Sequence, residues 1–112
     1  MVNLDGIRMR AEKTAANGVI NKKTIFHFHQ KENCVWAEYA GGRVARGYLV
    51  GLLSDDKLEF RYCQMDSDGK LDGGVSVCDV ELDPSHRIRL IEHFEWESRA
   101  GSGTNVIQQI LD

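Results

Sequence analysis

Proline and cysteine are scarce in this sequence: 112 residues contain one proline and three cysteines. The cysteines, Cys34, Cys63 and Cys78, show no CxxC spacing. Their odd number argues against a disulfide framework or a zinc knuckle. Free thiols in a reducing compartment are the simpler interpretation, and we therefore expect a cytoplasmic protein.

Long apolar runs and an excess of positive charge are also missing. No window approaches the roughly 20 apolar residues of a membrane-spanning helix, and the first residues contain no apolar core of signal-peptide length. Lys and Arg number 14 against 17 Asp and Glu, which gives a formal net charge of -3. A generally basic surface is therefore excluded, and we expect neither a nucleic-acid partner nor a membrane partner.

The remaining composition is typical of one globular domain. Apolar residues make up 42% and charged residues 28% of the chain, which excludes a disordered or low-complexity protein. The length allows one small core, and no linker or internal repeat divides the sequence. We predict a single domain over residues 1–112.

Apolar and polar residues alternate along most of the chain, and turn signals recur about every ten residues. Asn17-Gly18, the first of these signals, is typical of a hairpin turn. The alternation predicts eight strands, at residues 6–11, 24–30, 34–39, 43–53, 58–65, 71–82, 87–96 and 104–110. The last segment is also compatible with a short helix, because residues 108–111 favour neither form.

Short connections between consecutive strands predict an antiparallel meander. Such a meander leaves two costly edges unless its last strand pairs with its first. We therefore predict an all-β fold, a closed or nearly closed up-and-down barrel of the lipocalin or calycin type. A partly open barrel or a two-sheet sandwich is the alternative.

Scattered residues over about positions 5–110 match a family pattern. They are residues 26–30 (Phe-His-Phe-His-Gln), 35–37 (Val-Trp-Ala), 41–42, Gly47-x-Leu49-x-Gly51, 60–62, 87–90, Glu92 and Trp96. Together they resemble a family of small bacterial proteins that are often labelled N-acetylglutamate synthase. The resemblance identifies a family better than it identifies a chemistry.

The synthase label implies an acyl-CoA-dependent acetyltransferase, which usually binds pyrophosphate at a helix N-terminus in an α/β core. The motif is Arg/Gln-x-x-Gly-x-Gly/Ala, and the nearest segment, residues 99–103, has the wrong spacing. An amino-acid kinase fold would need a far longer chain. No triad, carboxylate dyad or cofactor motif is visible. The sequence therefore favours a protein without catalytic activity, and we expect no cofactor.

Glu92 shares a strand face with apolar side chains, among them Phe94 and Trp96. If that face is interior, a carboxylate enters the barrel and needs a partner or a raised pKa. Arg46 holds a corresponding place on its own strand, two residues before Tyr48. We predict an Arg46–Glu92 ion pair that either orients a ligand or fixes the packing.

The interior of a small barrel is either just filled or holds one small ligand. We predict that this barrel binds a small, partly apolar ligand. The predicted ligand-binding residues are Arg46, Glu92, Tyr48, Tyr62, Phe60 and Trp96. Small inward residues would favour a cavity, but the alternation predicts that Ala37 and Gly73 face inward and that Gly47 and Gly51 face outward.

His27 and His29 point the same way on a strand and are weak candidates for metal ligands. Two ligands do not make a site, and a third would have to come from His93 or His86. If the two phenylalanines beside them face inward, both histidines lie on the surface. We therefore predict no metal site.

Trp36 is exposed if its neighbours Val35 and Ala37 face inward, and tryptophan is enriched at protein interfaces. The alternative function is therefore a non-catalytic interaction or assembly module. In that case Trp36 belongs to the interface, and a homodimer is the simplest assembly.

Overall fold

The computed structural model describes residues 2–111 and contains eight β-strands. They are β1 (Arg8–Lys13), β2 (Ile25–Lys31), β3 (Cys34–Gly41), β4 (Val44–Ser54), β5 (Lys57–Asp66), β6 (Leu71–Leu82), β7 (Ile88–Trp96) and β8 (Ser102–Gln109). Each strand pairs antiparallel with the next, and β8 pairs with β1 to close the barrel. The predicted closed meander is confirmed, and the last segment is a strand. Within residues 2–111, no helix is long and apolar enough to cross a membrane.

Side chains alternate between the inside and the outside of the barrel along most strands, because successive Cβ atoms point to opposite faces. On β3, Val35, Ala37 and Tyr39 are buried while Trp36 is exposed. On β7, every second residue from Ile88 onward is buried. The predicted inward face of β7, with Glu92 on it, is confirmed.

An irregularity in β4 changes the facing of most of that strand. The pairing of β4 with β5 shifts register between Val44 and Arg46. Val44 is buried, Arg46 and Tyr48 are exposed, and Gly47 and Leu49 face inward. A β-bulge adds one residue and so displaces the alternation by one position. The prediction that Arg46 and Tyr48 point into the barrel is therefore wrong.

Inward glycines on β4 lie against aromatic residues of the two neighbouring strands. Gly47 lies against the ring of Tyr39, and a Cβ atom at Gly47 would be 2.4 Å from that ring. Gly51 lies against Phe60 of β5, and its Cβ would be 2.5 Å from the Cβ of Phe60. The predicted outward facing of both glycines is wrong for the same reason as that of Arg46. Small and large side chains alternate in this way in small filled barrels.

A glycine also makes room for an aromatic side chain on β6. Asp72 and Gly74 are its buried residues at this end, so Gly73 between them faces outward, contrary to the prediction. A Cβ atom at Gly74 would lie 2.6 Å from the hydroxyl oxygen of Tyr62. Glycine at position 74 therefore lets the Tyr62 side chain reach across the strand.

The two ends of the barrel are closed by different segments. At one end Leu4 is fully buried, and the chain beside it pairs with β2 through hydrogen bonds between Gly6, Ile7 and Phe28. At the other end residues 14–24, which connect β1 to β2, form a loop that buries Val19. The Asn17-Gly18 signal lies inside this loop, and the tight hairpin turn typical of it is absent here.

Because Gly51 faces inward, we expect a methyl group added at this position to destabilise the folded protein. A Cβ atom at this position would lie 2.1 Å from the backbone oxygen of Glu59, so we expect Gly51→Ala to lower the free energy of unfolding by about 1–3 kcal/mol. Urea denaturation measures the change. Gly18→Ala is the control, because its Cβ would meet no atom closer than 3.4 Å. An unchanged unfolding midpoint for Gly51→Ala would contradict the inward placement.

Candidate ligand site inside the barrel

A small cavity lies beneath the loop of residues 14–24. Its volume of about 30 Å³ gives room for about two water molecules, so an organic ligand does not fit while the loop is in place. Val19 and Ile20 of the loop form part of the lining. The aromatic part of the lining consists of Phe26, Tyr39, Phe60, Tyr62, Phe94 and Trp96.

The aromatic rings hold one another in place. The ring centroids of Phe26 and Tyr39 are 4.6 Å apart in a stacked arrangement. Trp96 meets Tyr62 and Phe94 edge to face, with centroid distances of 5.7 Å and 5.5 Å. Such contacts add to the stability of buried rings and fix their orientation. The wall of the cavity is therefore built of mutually packed rings.

Glu92 brings a carboxyl group to the wall of this cavity. Its Oε2 lies 2.6 Å from the hydroxyl oxygen of Ser76, and its Oε1 accepts a hydrogen bond from Nδ2 of Asn105 at 3.0 Å. Burial raises the pKa of Glu92, because the cost of desolvating its charge outweighs the opposing effect of these two hydrogen bonds.

The predicted ion pair between Arg46 and Glu92 does not form. Arg46 is on the outer surface, where its Nη1 donates a hydrogen bond to the hydroxyl of Tyr48 at 3.2 Å. Ser76 and Asn105 hold the carboxyl group instead. Sequence reasoning missed both residues, although Asn105 lies directly across from Glu92 in the β7–β8 pairing. The register of β7 against β8 identifies Asn105 as the neighbour of Glu92.

The loop over the cavity is fastened at both ends by side-chain hydrogen bonds. Near its start, Oδ1 of Asn105 accepts a hydrogen bond from the backbone N–H of Ala15 at 2.9 Å. Asn17 donates to a backbone oxygen of β8 at 3.0 Å. Near its end, Thr24 donates to the backbone oxygen of Gly41, also at 3.0 Å. The apolar middle of the loop is thereby held over the cavity.

Two residues of the lining have a buried polar group without a protein partner among residues 2–111: the hydroxyl of Tyr62 and Nε1 of Trp96. Native proteins rarely leave such groups unsatisfied, and an ordered water often completes them. Burial raises the pKa of Tyr62, and the nearby Glu92 adds to the effect. The Tyr62 hydroxyl therefore keeps its proton and stays a hydrogen-bond donor.

A charged side chain lies at the rim of the site. The guanidinium carbon of Arg99 is 4.2 Å from the centroid of the Trp96 ring. Its Nη2 is 3.6 Å from Oδ2 of the buried Asp72, whose other oxygen accepts a hydrogen bond from Ser98 at 2.7 Å. Sequence reasoning missed this group, because only the fold brings the β7–β8 connection against the start of β6.

Four of the six predicted ligand-binding residues meet at the cavity. They are Phe60, Tyr62, Glu92 and Trp96. Arg46 and Tyr48 lie together on the outside, as described above. Whether the four interior residues bind a ligand stays a prediction at this point.

His27 and His29 lie on the outer surface of β2. Nε2 of His29 is 2.8 Å from Oε1 of Glu38, whereas His93 lies near Asp79 on another part of the barrel wall. In the described part of the chain, no group of three or more His, Cys, Asp or Glu side chains is placed to hold a metal ion.

A family model described as avidin-like protein matches residues 2–110. The match spans all eight strands. No curated protein and no solved structure is significantly similar to the chain. The match agrees with the calycin-type barrel, and it bears in neither direction on the synthase label.

We expect that replacing Glu92 by Gln changes how the free energy of unfolding depends on pH. The folded-state pKa of Glu92 is raised above its ordinary value of 4.5, so the stability contributed by the protonated form is fully present below about pH 4.5. It is lost as the pH rises through the folded-state pKa. We therefore expect wild type to lose stability relative to Glu92→Gln as the pH rises above about 4.5 and passes through the raised folded-state pKa.

Urea unfolding of both proteins at each pH measures this difference. Glu95→Gln, which alters an exposed carboxylate on the same strand, is the matched control. A difference between wild type and Glu92→Gln that stays constant over this range would contradict the raised pKa.

Proposed function

The chain belongs to the avidin-like family, and we propose that it binds a small, partly apolar ligand inside the barrel. One observation carries the proposal: among residues 2–111, Tyr62 and Trp96 both line the cavity, and each has a buried hydrogen-bond donor without a protein partner. A ligand that accepts hydrogen bonds would satisfy both groups. Its apolar part would pack against the rings.

Binding requires the loop of residues 14–24 to move, because a cavity of about 30 Å³ has room for little more than water. Val19 and Ile20 would leave the mouth of the barrel. The apolar surface of the ligand would replace them against the aromatic wall and so recover the burial that the loop gives up.

The family description suggests biotin as the first ligand to test. Biotin combines an apolar body with a ureido oxygen that accepts hydrogen bonds. The Tyr62 O–H and the Trp96 N–H are the groups that would donate to it. Its carboxylate would stay near the mouth, where Arg99 lies.

We place this binding protein in the cytoplasm. Its three cysteines are free thiols, two of them exposed. Exposed thiols persist in a reducing compartment, which supports this location.

Loss of one interior hydroxyl group tests the ligand site. Tyr62→Phe keeps the ring and removes a single hydrogen bond, so we expect the affinity for biotin to fall by about threefold to tenfold. Isothermal titration calorimetry measures the affinity. Tyr48→Phe makes the same change on the outer surface and should leave it unaltered. Equal affinities of wild type and Tyr62→Phe would remove Tyr62 from the site, and no binding to wild type at millimolar biotin would rule out biotin.

A second candidate function is self-assembly, and the apolar outer face of β4 favours it. Tyr48, Val50 and Leu52 are 52%, 56% and 52% exposed. Trp36 of β3 lies directly beside Val50 in the strand pairing. Contiguous exposed apolar side chains are typical of interaction sites. We therefore propose that a homodimer would use this face, with Trp36 in the interface.

A charge in the middle of this face tests the assembly. We expect Val50→Lys to convert a dimer to a monomer, because an unpaired ammonium is costly to bury. Size-exclusion chromatography with light scattering measures the mass. Thr104→Lys, at an exposed position on β8 across the barrel, is the control. A wild-type protein that is monomeric at about 100 μM would contradict the assembly.

A further inference from the structure

The groups around Glu92 indicate which charge on a ligand the barrel interior would favour. Building on the proposed function, we propose that the preferred ligand carries, beside its hydrogen-bond acceptor, a protonated amine that pairs with the Glu92 carboxylate inside the barrel. Among residues 2–111 the buried charged side chains are Asp72 and Glu92. Asp72 faces the guanidinium of Arg99 at 3.6 Å. Glu92 is held by a hydroxyl and an amide, which are neutral.

The hydrogen bonds of Glu92 leave part of its carboxylate open. Asn105 must present its NH₂ group to Glu92, because its oxygen accepts from the Ala15 N–H. Oε1 is therefore an acceptor, and Oε2 bonds to Ser76. An ionised carboxylate has about four lone-pair sites, so about two remain for donors of a ligand. An ammonium group has three donors and matches this need.

A ligand amine would supply the missing cation. A buried carboxylate without a positive partner is costly, and the cost falls when an opposite charge comes within hydrogen-bond distance. The binding free energy of an amine would therefore include relief of this penalty. A carboxylate ligand would add to the penalty instead.

The aromatic wall favours the same charge. The face of an aromatic ring carries negative charge density and attracts a cation within about 6 Å of its centroid. Six rings line the cavity that Glu92 also lines. An ionised Glu92 and any ring face turned toward the ligand would both attract an organic cation and repel an anion.

Among the described residues, the titratable groups around Glu92 supply no cation. Tyr39, Tyr62 and Cys78 face the same interior, and burial raises the pKa of each, so all three are neutral near pH 7. His93, the next residue along β7, is exposed on the outer surface near Asp79. A ligand amine would therefore bring a cation to the Glu92 carboxylate.

Three probes of one shape separate the possible ligand charges. Benzylamine is a cation, benzyl alcohol is neutral and benzoate is an anion, and all three present the same ring. NMR titration of the isotope-labelled protein near pH 7 gives each dissociation constant. We expect benzylamine to bind about tenfold more tightly than benzyl alcohol, the gain of a charge-assisted hydrogen bond, and benzoate to bind most weakly.

Two variants test whether Glu92 is the cause. Glu92→Gln should remove the preference for benzylamine over benzyl alcohol, while Glu95→Gln, on the outer surface, should keep it. If Glu92→Gln does not fold, the order of the three dissociation constants measured on wild type still tests the amine proposal. Benzyl alcohol binding as tightly as benzylamine, or a preference that survives in Glu92→Gln, would overturn the amine inference and leave the barrel site intact. Absence of binding by all three probes and by biotin would overturn the proposed function as well.

Discussion

The narrow interior of an eight-stranded barrel limits the volume of every inward side chain, and the site follows from how that space is divided. Gly47 lies against the ring of Tyr39 on β3, and Gly51 lies against the backbone and the Cβ of Phe60 on β5. Large side chains packed against these small residues fill most of the barrel interior. The remaining space lies at the mouth, where polar groups join the rings. The position of the candidate site is therefore a consequence of packing.

The polar wall and the cover of the site form one hydrogen-bonded network. Asn105 donates to Glu92 from its amide nitrogen and accepts from Ala15 of the loop at its oxygen. Buried networks of this kind hold their members in fixed orientations, because each unsatisfied group is costly. A ligand that bonds to Glu92 would act on the residue that also fastens the loop. In the proposed function, binding and opening of the mouth would thus be connected through the side chain of Asn105.

The sequence predicted the strands well, because alternation and turn residues are local signals. The inward face of β7, with Glu92 and Trp96, was predicted because its alternation is uninterrupted. Arg46 was misplaced because the bulge after Val44 leaves no mark in the pattern of apolar residues. The hydrogen bonds of Glu92 depend on the register between strands, which one sequence does not specify. The role of Trp36 in an interface stays a prediction.

Native mass spectrometry of the untagged protein tests the central claim, that the barrel interior accepts a small molecule. The protein is measured as purified and again with millimolar biotin or benzylamine. We predict a one-to-one non-covalent adduct that is lost on denaturation. A mass equal to that of the polypeptide alone under all these conditions would contradict the account.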